Sequence, residues 1–213
     1  LSYDYADKYY FSASFRTDGS SRFYKESRWG NFWSVGANWR ISQEEFMKNV
    51  RWVNNLSVKA SYGVQGNDRL LDSNGYDIYY AWQSFYSLSY PNNTMNGAAL
   101  SSLENKGLKW EKNGNLNVGV EGRLFDRVSF SVEWYQRKTS DMLMSFPMAT
   151  SLGFDGYNKN IGSMRNRGLD VSIATDIFQQ PNFGWRLTLM GSTVKNEVLQ
   201  LADKPEIING SYI

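Results

Sequence analysis

Neither cysteine nor histidine occurs in this chain of 213 residues. Without cysteine there is no disulfide frame and no thiolate metal site. Without histidine the usual general base, the commonest zinc ligand and every histidine-dependent triad are missing. No enzymatic activity, cofactor or metal site is therefore expected. A dominant charge is lacking too: 23 basic against 21 acidic side chains leave a formal net charge of +2. No basic stripe runs along the chain, so no nucleic-acid partner is expected. No apolar run reaches the ~20 residues of a transmembrane helix. Proline is scarce, and all four (Pro91, Pro147, Pro181 and Pro205) fall in predicted connections, where a missing N–H breaks no strand ladder.

What the chain does have is alternation. Leu56, Val58, Ala60, Tyr62 and Val64 interleave with Ser57, Lys59, Ser61, Gly63 and Gln65. Strand side chains point to opposite faces in turn, so such a segment has one apolar and one hydrated wall. After a short opening stretch, residues 1–5, six further segments read alike: 9–16, 32–41, 115–125, 128–137, 168–177 and 185–194. Lowered mean hydropathy with strict alternation is the pattern of a sheet between lipid and water.

Connection lengths are asymmetric. They are short at 6–8, 126–127 and 178–183, and long at 17–30, 66–110 and 139–166. Outer-membrane barrels combine short periplasmic turns with long external loops. Residues 42–55 break the rule on the short side and predict a small helix, with Ser42 as N-cap and Glu45 completing a capping box. Tyr9, Trp33, Trp39, Trp134, Tyr135 and Trp185 read as ring-bearing residues near strand ends, as interfacial girdles require. A soluble antiparallel sheet would also alternate and also favour aromatics. Both readings stay open on pattern alone.

Ordered blocks of residues carry a resemblance. They run from Arg16-Thr17-Asp18-Gly19-Ser20-Ser21-Arg22-Phe23 and Trp29-Gly30 through Ser34-Val35-Gly36-Ala37-Asn38-Trp39-Arg40-Ile41-Ser42 and Glu45-Phe46-Met47. Residues 55–67, Trp110-Glu111-Lys112, Asn117-Val118-Gly119-Val120-Glu121, Phe125-Asp126 and Trp134-Tyr135 continue them. Thr139-Ser140-Asp141-Met142-Leu143, Asn160-Ile161-Gly162, residues 166–170 and Asn196-Glu197-Val198 close the set. In this order the blocks resemble the SusC/RagA family of TonB-dependent outer-membrane transporters of Bacteroidota.

The resemblance implies an all-β fold: an antiparallel transmembrane β-barrel segment of about seven or eight strands, part of a plugged barrel of about 22. Residues 1–213 would then be one part of a single barrel domain, without its plug and closing strands. Implied with it are the outer membrane and its lipid, TonB-dependent import of oligosaccharides or peptides, a SusD-like surface lipoprotein, and a TonB complex engaged through an N-terminal region. A siderophore or cobalamin receptor, a passive porin and a soluble secreted binding module are the alternatives.

Candidate contacts follow from loop and face. Residues 68–109 carry Tyr76, Tyr79, Tyr80, Trp82, Phe85, Tyr86 and Tyr90, rings on which sugars stack or a lid rests; packing of the loop on itself is the plain alternative. Asp68, Asp72 and Asp77 share that loop, but their spacing is not that of a calcium loop. On the hydrated face, Arg16, Arg40, Lys59, Glu121, Arg123, Glu133 and Arg137 are candidates to line a lumen, or merely to pair across strands. Glu121 and Glu133 also form a carboxylate pair, a weak echo of a glycosidase.

Overall fold

The structure, a computed structural model, describes all residues except 73, 93, 94, 150, 152, 154, 155, 202–206, 209, 210 and 213; side chains at 89–92, 95, 96, 207, 208, 211 and 212 are also outside the description. Eight strands form one antiparallel sheet: β1 (Ser2–Tyr5), β2 (Tyr9–Gly19), β3 (Trp29–Arg40), β4 (Val53–Asn67), β7 (Glu111–Leu124), β8 (Val128–Ser140), β11 (Ser163–Gln180) and β12 (Phe183–Gln200). Each pairs with its predecessor, so the sheet is a meander with β1 and β12 at its open edges.

The long connections contain strands of their own. Between β4 and β7 lies the hairpin β5 (Phe85–Asn92) and β6 (Met95–Ser102), and between β8 and β11 the hairpin β9 (Leu143–Pro147) and β10 (Gly156–Asn160). Beyond β12 the backbone forms β13 (Ile207–Ile208) and β14 (Ser211–Tyr212). Two of the prolines predicted to lie in irregular connections, Pro91 and Pro147, thus sit in hairpin strands instead; Pro181 is in the β11–β12 turn, and Pro205 lies outside the described residues.

Register follows alternation. One row across seven strands reads Tyr9, Trp39, Val58, Val120, Val132, Val171 and Gly191. The next reads Asp4, Tyr10, Asn38, Lys59, Gly119, Glu133, Asp170 and Ser192. The apolar rows stand open: Tyr9, Trp39, Val118, Ile173 and Leu189 are all exposed. A soluble sandwich covers such rows with a second sheet; among the described residues no second layer covers this one.

Two tight turns share one geometry. Ala6 and Asp7 have φ of 56° each, and Phe125 and Asp126 have 54° and 55°. With Lys8 N–H bonded to the Tyr5 carbonyl at 3.0 Å and Arg127 N–H to that of Leu124 at 3.1 Å, both are type I′ turns, whose twist matches the flanking strands.

The helix predicted at 42–55 does not form. Two single 3-10 turns, Ile41–Gln43 and Glu45–Met47, stand there, and neither has a side-chain cap. Ser42 instead hydroxyl-bonds Asn55 at 3.2 Å, and Glu45 pairs with Lys48 at 2.6 Å. The capping box fails because Glu44, at φ −75° and ψ 151°, is extended and interrupts the turn.

The aromatic prediction divides. Tyr9, Trp39 and Trp185 lie at the short-turn end, where Tyr9 stacks on Trp39 and Trp185 on Phe178, and Trp33 meets Tyr62 edge-on toward the other end. Trp134 and Tyr135 fall in the middle of β8 instead, and Tyr135 has hydrated-face parity.

Candidate functional site

The buried apolar residues collect at the long-loop end. Phe23, Phe32, Leu70, Ala81, Leu108 and Trp110 form one small core, with Ile78 and Leu143 packed against it. Trp110 sits tilted against Phe23 at 5.5 Å and edge-on to Phe32 at 5.3 Å, and its indole N–H donates to the Arg28 carbonyl at 3.1 Å. Residues from all three long connections therefore share one roof. Gly66 makes it possible: a Cβ there would lie 2.0 Å from Phe32 Cζ.

Arg22 clasps the roof together. Its guanidinium lies 3.5 Å from the Asp77 carboxylate and 3.9 Å from that of Asp68, and covers the ring of Tyr79 at 4.8 Å. The Asp68 carboxylate also accepts from the Ser20 hydroxyl at 2.7 Å. Asp72 turns inward on its own loop and accepts from the N–H groups of Asn74 and Tyr76. Asp68 and Asp77 thus share Arg22, and Asp72 is engaged apart from them.

The ring-bearing candidates split accordingly. Tyr79 has one face under Arg22, and Trp82 leans on Tyr24 at 5.2 Å. Tyr76, Tyr79, Tyr80, Phe85 and Tyr86 are all exposed, with Tyr76 at 72%. Tyr80 is held in the left-handed region at φ 61°. The Tyr90 side chain lies outside the described residues.

The charged candidates share the hydrated face but not one cluster. Lys59 reaches over Gly119 to Glu133 at 2.8 Å and lies 3.6 Å from Glu121, so the two carboxylates flank an ammonium rather than a scissile bond. Arg40 pairs with Asp7 at 2.7 Å and donates to Tyr10. Arg16 pairs with Asp18 at 3.0 Å, and Arg123 donates to the Asp126 carbonyl. Arg137 and the Thr139 hydroxyl both donate to Asn113 Oδ1. Around Lys59 the face forms an open hollow of about 800 Å³, lined also by Asp4, Tyr10, Asn38, Ser61 and Asn117.

Sequence reasoning passed over Glu44. Its carboxylate accepts from the Tyr9 hydroxyl at 2.6 Å, the Trp39 indole at 3.0 Å and the Lys8 ammonium at 3.0 Å. Those bonds, Tyr9's first, hold its pKa at about 2, well below the ordinary 4.5. The polar tips of two stacked rings thus meet a fixed anion at the short-turn end. Only the register pairing of Tyr9 with Trp39 makes that visible.

An open antiparallel sheet with apolar rows outside, polar rows inside and all long connections at one end defines a section of membrane β-barrel wall. The chain belongs to the TonB dependent receptor-like β-barrel family, whose model matches residues 1–208. It is 38% identical over its whole length to TonB-dependent receptor P39 of Formosa agariphila, and 32% identical over 94% of its length to TonB-dependent receptor SusC of Bacteroides thetaiotaomicron. It spans about 20% of each of those relatives. Among solved structures it superposes on the RagAB peptide importer in a closed-closed state with a TM-score of 0.82 at 30% identity, over 94% of this chain and 22% of that one. On the open-open state the TM-score is 0.80.

Proposed function

We propose that these residues are part of a single barrel domain in an outer-membrane, TonB-dependent importer of oligosaccharides or peptides, working with a SusD-like lipoprotein lid. The observation that carries this reading is the uncovered apolar row opposite a continuous polar row, capped at one end by three interlocked long connections. Lipid suits the first face, and a hydrated lumen the second. The likeness to SusC and to a RagAB peptide importer supports the transport class and a lipoprotein partner. Near-equal superposition on closed-closed and open-open states supports a wall that stays still while other parts move.

Within this reading Lys59, Glu121, Glu133, Arg16, Arg40, Arg123 and Arg137 keep the lumen wall wet. Tyr76, Tyr80, Phe85 and Tyr86 offer free ring faces to cargo or lid, Tyr79 remains exposed beside Arg22, and Trp82 is spent on the roof itself. The test uses the full-length protein in its native host. Outer-membrane fractionation comes first, followed by uptake of labelled neutral oligosaccharides and of peptides by wild type and by Tyr76→Ala, Tyr80→Ala and Tyr86→Ala variants. Loss of uptake of one cargo class, with membrane levels unchanged, is expected. Recovery of the protein in the soluble fraction, or wild-type uptake by every variant, would sink the corresponding part of the reading.

A further inference from the structure

The apolar outer face ends along a slanted edge. Toward the long-loop end, the run of outward apolar residues stops at Phe15 on β2, Leu116 on β7, Leu169 on β11 and Leu189 on β12. Followed through the register, that edge falls four rows, about 27 Å, across six strand spacings, about 29 Å. The slant is therefore about 43°, within the ~35–45° by which membrane-barrel strands tilt. Strands tilted in this way bring the edge level with the membrane plane. One row shows the change directly: Phe15, Trp33 and Val64 give way through Gly114 to Lys138, Arg165 and Glu197.

Just beyond this edge, outward positions on neighbouring strands are basic: Lys112 on β7, Lys138 on β8, Arg165 and Arg167 on β11, and Lys195 on β12. On β2, β3 and β4 the corresponding residues are Thr17, Asn31 and Gly66, so the cations occupy one sector of the wall. Lys112, Lys138 and Lys195 are exposed, and the two arginines are half-buried. Arg165 has a partner in Glu197 at 2.7 Å. The other four form no ion pair among the described residues. Arg167 and Lys195 are moreover direct register partners. Like charges placed opposite each other destabilise a sheet, so this pair calls for an anion from outside it.

We infer that Lys138, Arg167 and Lys195, flanked by Lys112 and Arg165, hold the headgroup phosphates of lipids in the leaflet at the long-loop end. The inference rests on reading the apolar rows as lipid-facing. Trp134 and Leu169 are exposed next to the cations on the apolar side of the edge. Acyl chains and headgroup are thus met in the order in which a lipid presents them, whereas a soluble anion would make no use of those rows. A guanidinium forks two phosphate oxygens, and the ammonium groups add point charges around them. Charge is tolerated at this depth, because its penalty on a lipid-facing strand fades toward the interface.

The experiment titrates the full-length protein in neutral detergent with lipid A, a glycolipid that carries phosphate, and with its dephosphorylated form, reading bound lipid by native mass spectrometry. Wild type should bind lipid A at least about tenfold more tightly than the dephosphorylated form. A Lys138→Gln, Arg167→Gln, Lys195→Gln triple variant should lose that preference. A Lys25→Gln, Lys48→Gln, Arg51→Gln variant, which loses the same charge elsewhere, should keep it. Equal binding of the two lipids, an unaltered preference in the first variant, or its loss from both variants would overturn the inference. Displacement of lipid A by inorganic phosphate at matched concentration would also overturn it, since the site would then serve a free anion. Stability supplies a second readout. Without lipid, the first variant should withstand at least as much denaturant as wild type, because the Arg167–Lys195 repulsion is gone. Lipid A should then raise the midpoint of wild type and leave that of the variant in place. A variant weaker than wild type without lipid would show that the cations serve the sheet itself, against the inference. Neither readout uses uptake, so a failure of the cargo reading leaves this test intact.

Discussion

Ala6 and Phe125 occupy the first central position of the two I′ turns, each with a Cβ in a left-handed backbone that penalises it by about 1 kcal/mol. Ala6 carries only a methyl group, which offers no ring or polar contact to compensate, so Ala6→Gly should raise stability by about 1 kcal/mol. Phe125 stacks on Trp52 at 5.6 Å, and Phe125→Gly should yield no gain because the ring contact is lost with the strain. Denaturant midpoints of the full-length protein in detergent decide this, and a gain from both substitutions would contradict it.

Glu44 makes stability depend on pH in the acid range. Its folded pKa of about 2 lies below the ordinary 4.5, so its contribution is complete above about 4.5 and is lost as pH falls toward 2. Glu44→Gln should flatten the dependence of stability on pH over that window and leave the slope above pH 5 as it was. An unchanged acid limb would show that the three donors do not hold the carboxylate in solution. Sequence patterning singles out Glu45, as the closing residue of a capping box, because that motif is local. The actual partner set of Glu44 joins residues 5 to 36 positions apart, a relation no short window contains.

At the scale of the strand, alternation located seven of the eight strands of the sheet and assigned their faces; β1, four residues long, is too short to show the period. It missed the ends. Glu111–Gly114 is polar or small on both faces, and Met164 is the one apolar residue of Ser163–Arg167, so no alternation distinguishes strand from loop there. The hairpin β5–β6 was hidden for the same reason, since its Ser, Asn and Pro residues read as a connection. Glycines on the hydrated face separate two kinds of close approach. At Gly119 an added Cβ meets the flexible Lys59 side chain at 2.9 Å and the Val132 carbonyl only at 3.2 Å, whereas at Gly168 it meets the Thr193 carbonyl at 2.1 Å. Gly119→Ala should therefore cost little and only displace Lys59 from Glu133. Gly168→Ala should break the β11–β12 ladder locally, seen as loss of amide protection at Thr193 and Val194. Equal effects of the two would contradict the register.

The whole sheet has two open edges and an apolar outer face. Unpaired edges and large apolar patches both recruit other chains. Residues 1–213 expressed alone should aggregate in aqueous buffer and gain β-sheet circular dichroism as a dispersed species only with detergent. A monomeric, folded species by size exclusion without detergent would favour the soluble alternative. Register adds a safeguard within the larger barrel, because a slip by one residue would turn Lys59, Glu133 and Asp170 toward lipid and Val58, Val132 and Val171 toward water.

The roof has a consequence for transplanting loops between relatives. Its core draws Phe23 from one connection, Leu70, Ala81, Leu108 and Trp110 from a second, and Phe32 from β3, with Leu143 of the third packed against it. A chimaera that exchanges residues 68–109 alone would leave Phe23 and Trp110 facing a foreign lining, and Arg22 without its two aspartates. The heritable cassette is the set of segments 20–32, 66–110 and 141–162 taken together, since Leu143 packs on the core and Asn160 bonds Lys109. Only a graft cut at those borders carries both the recognition surface and the fasteners that keep it in shape.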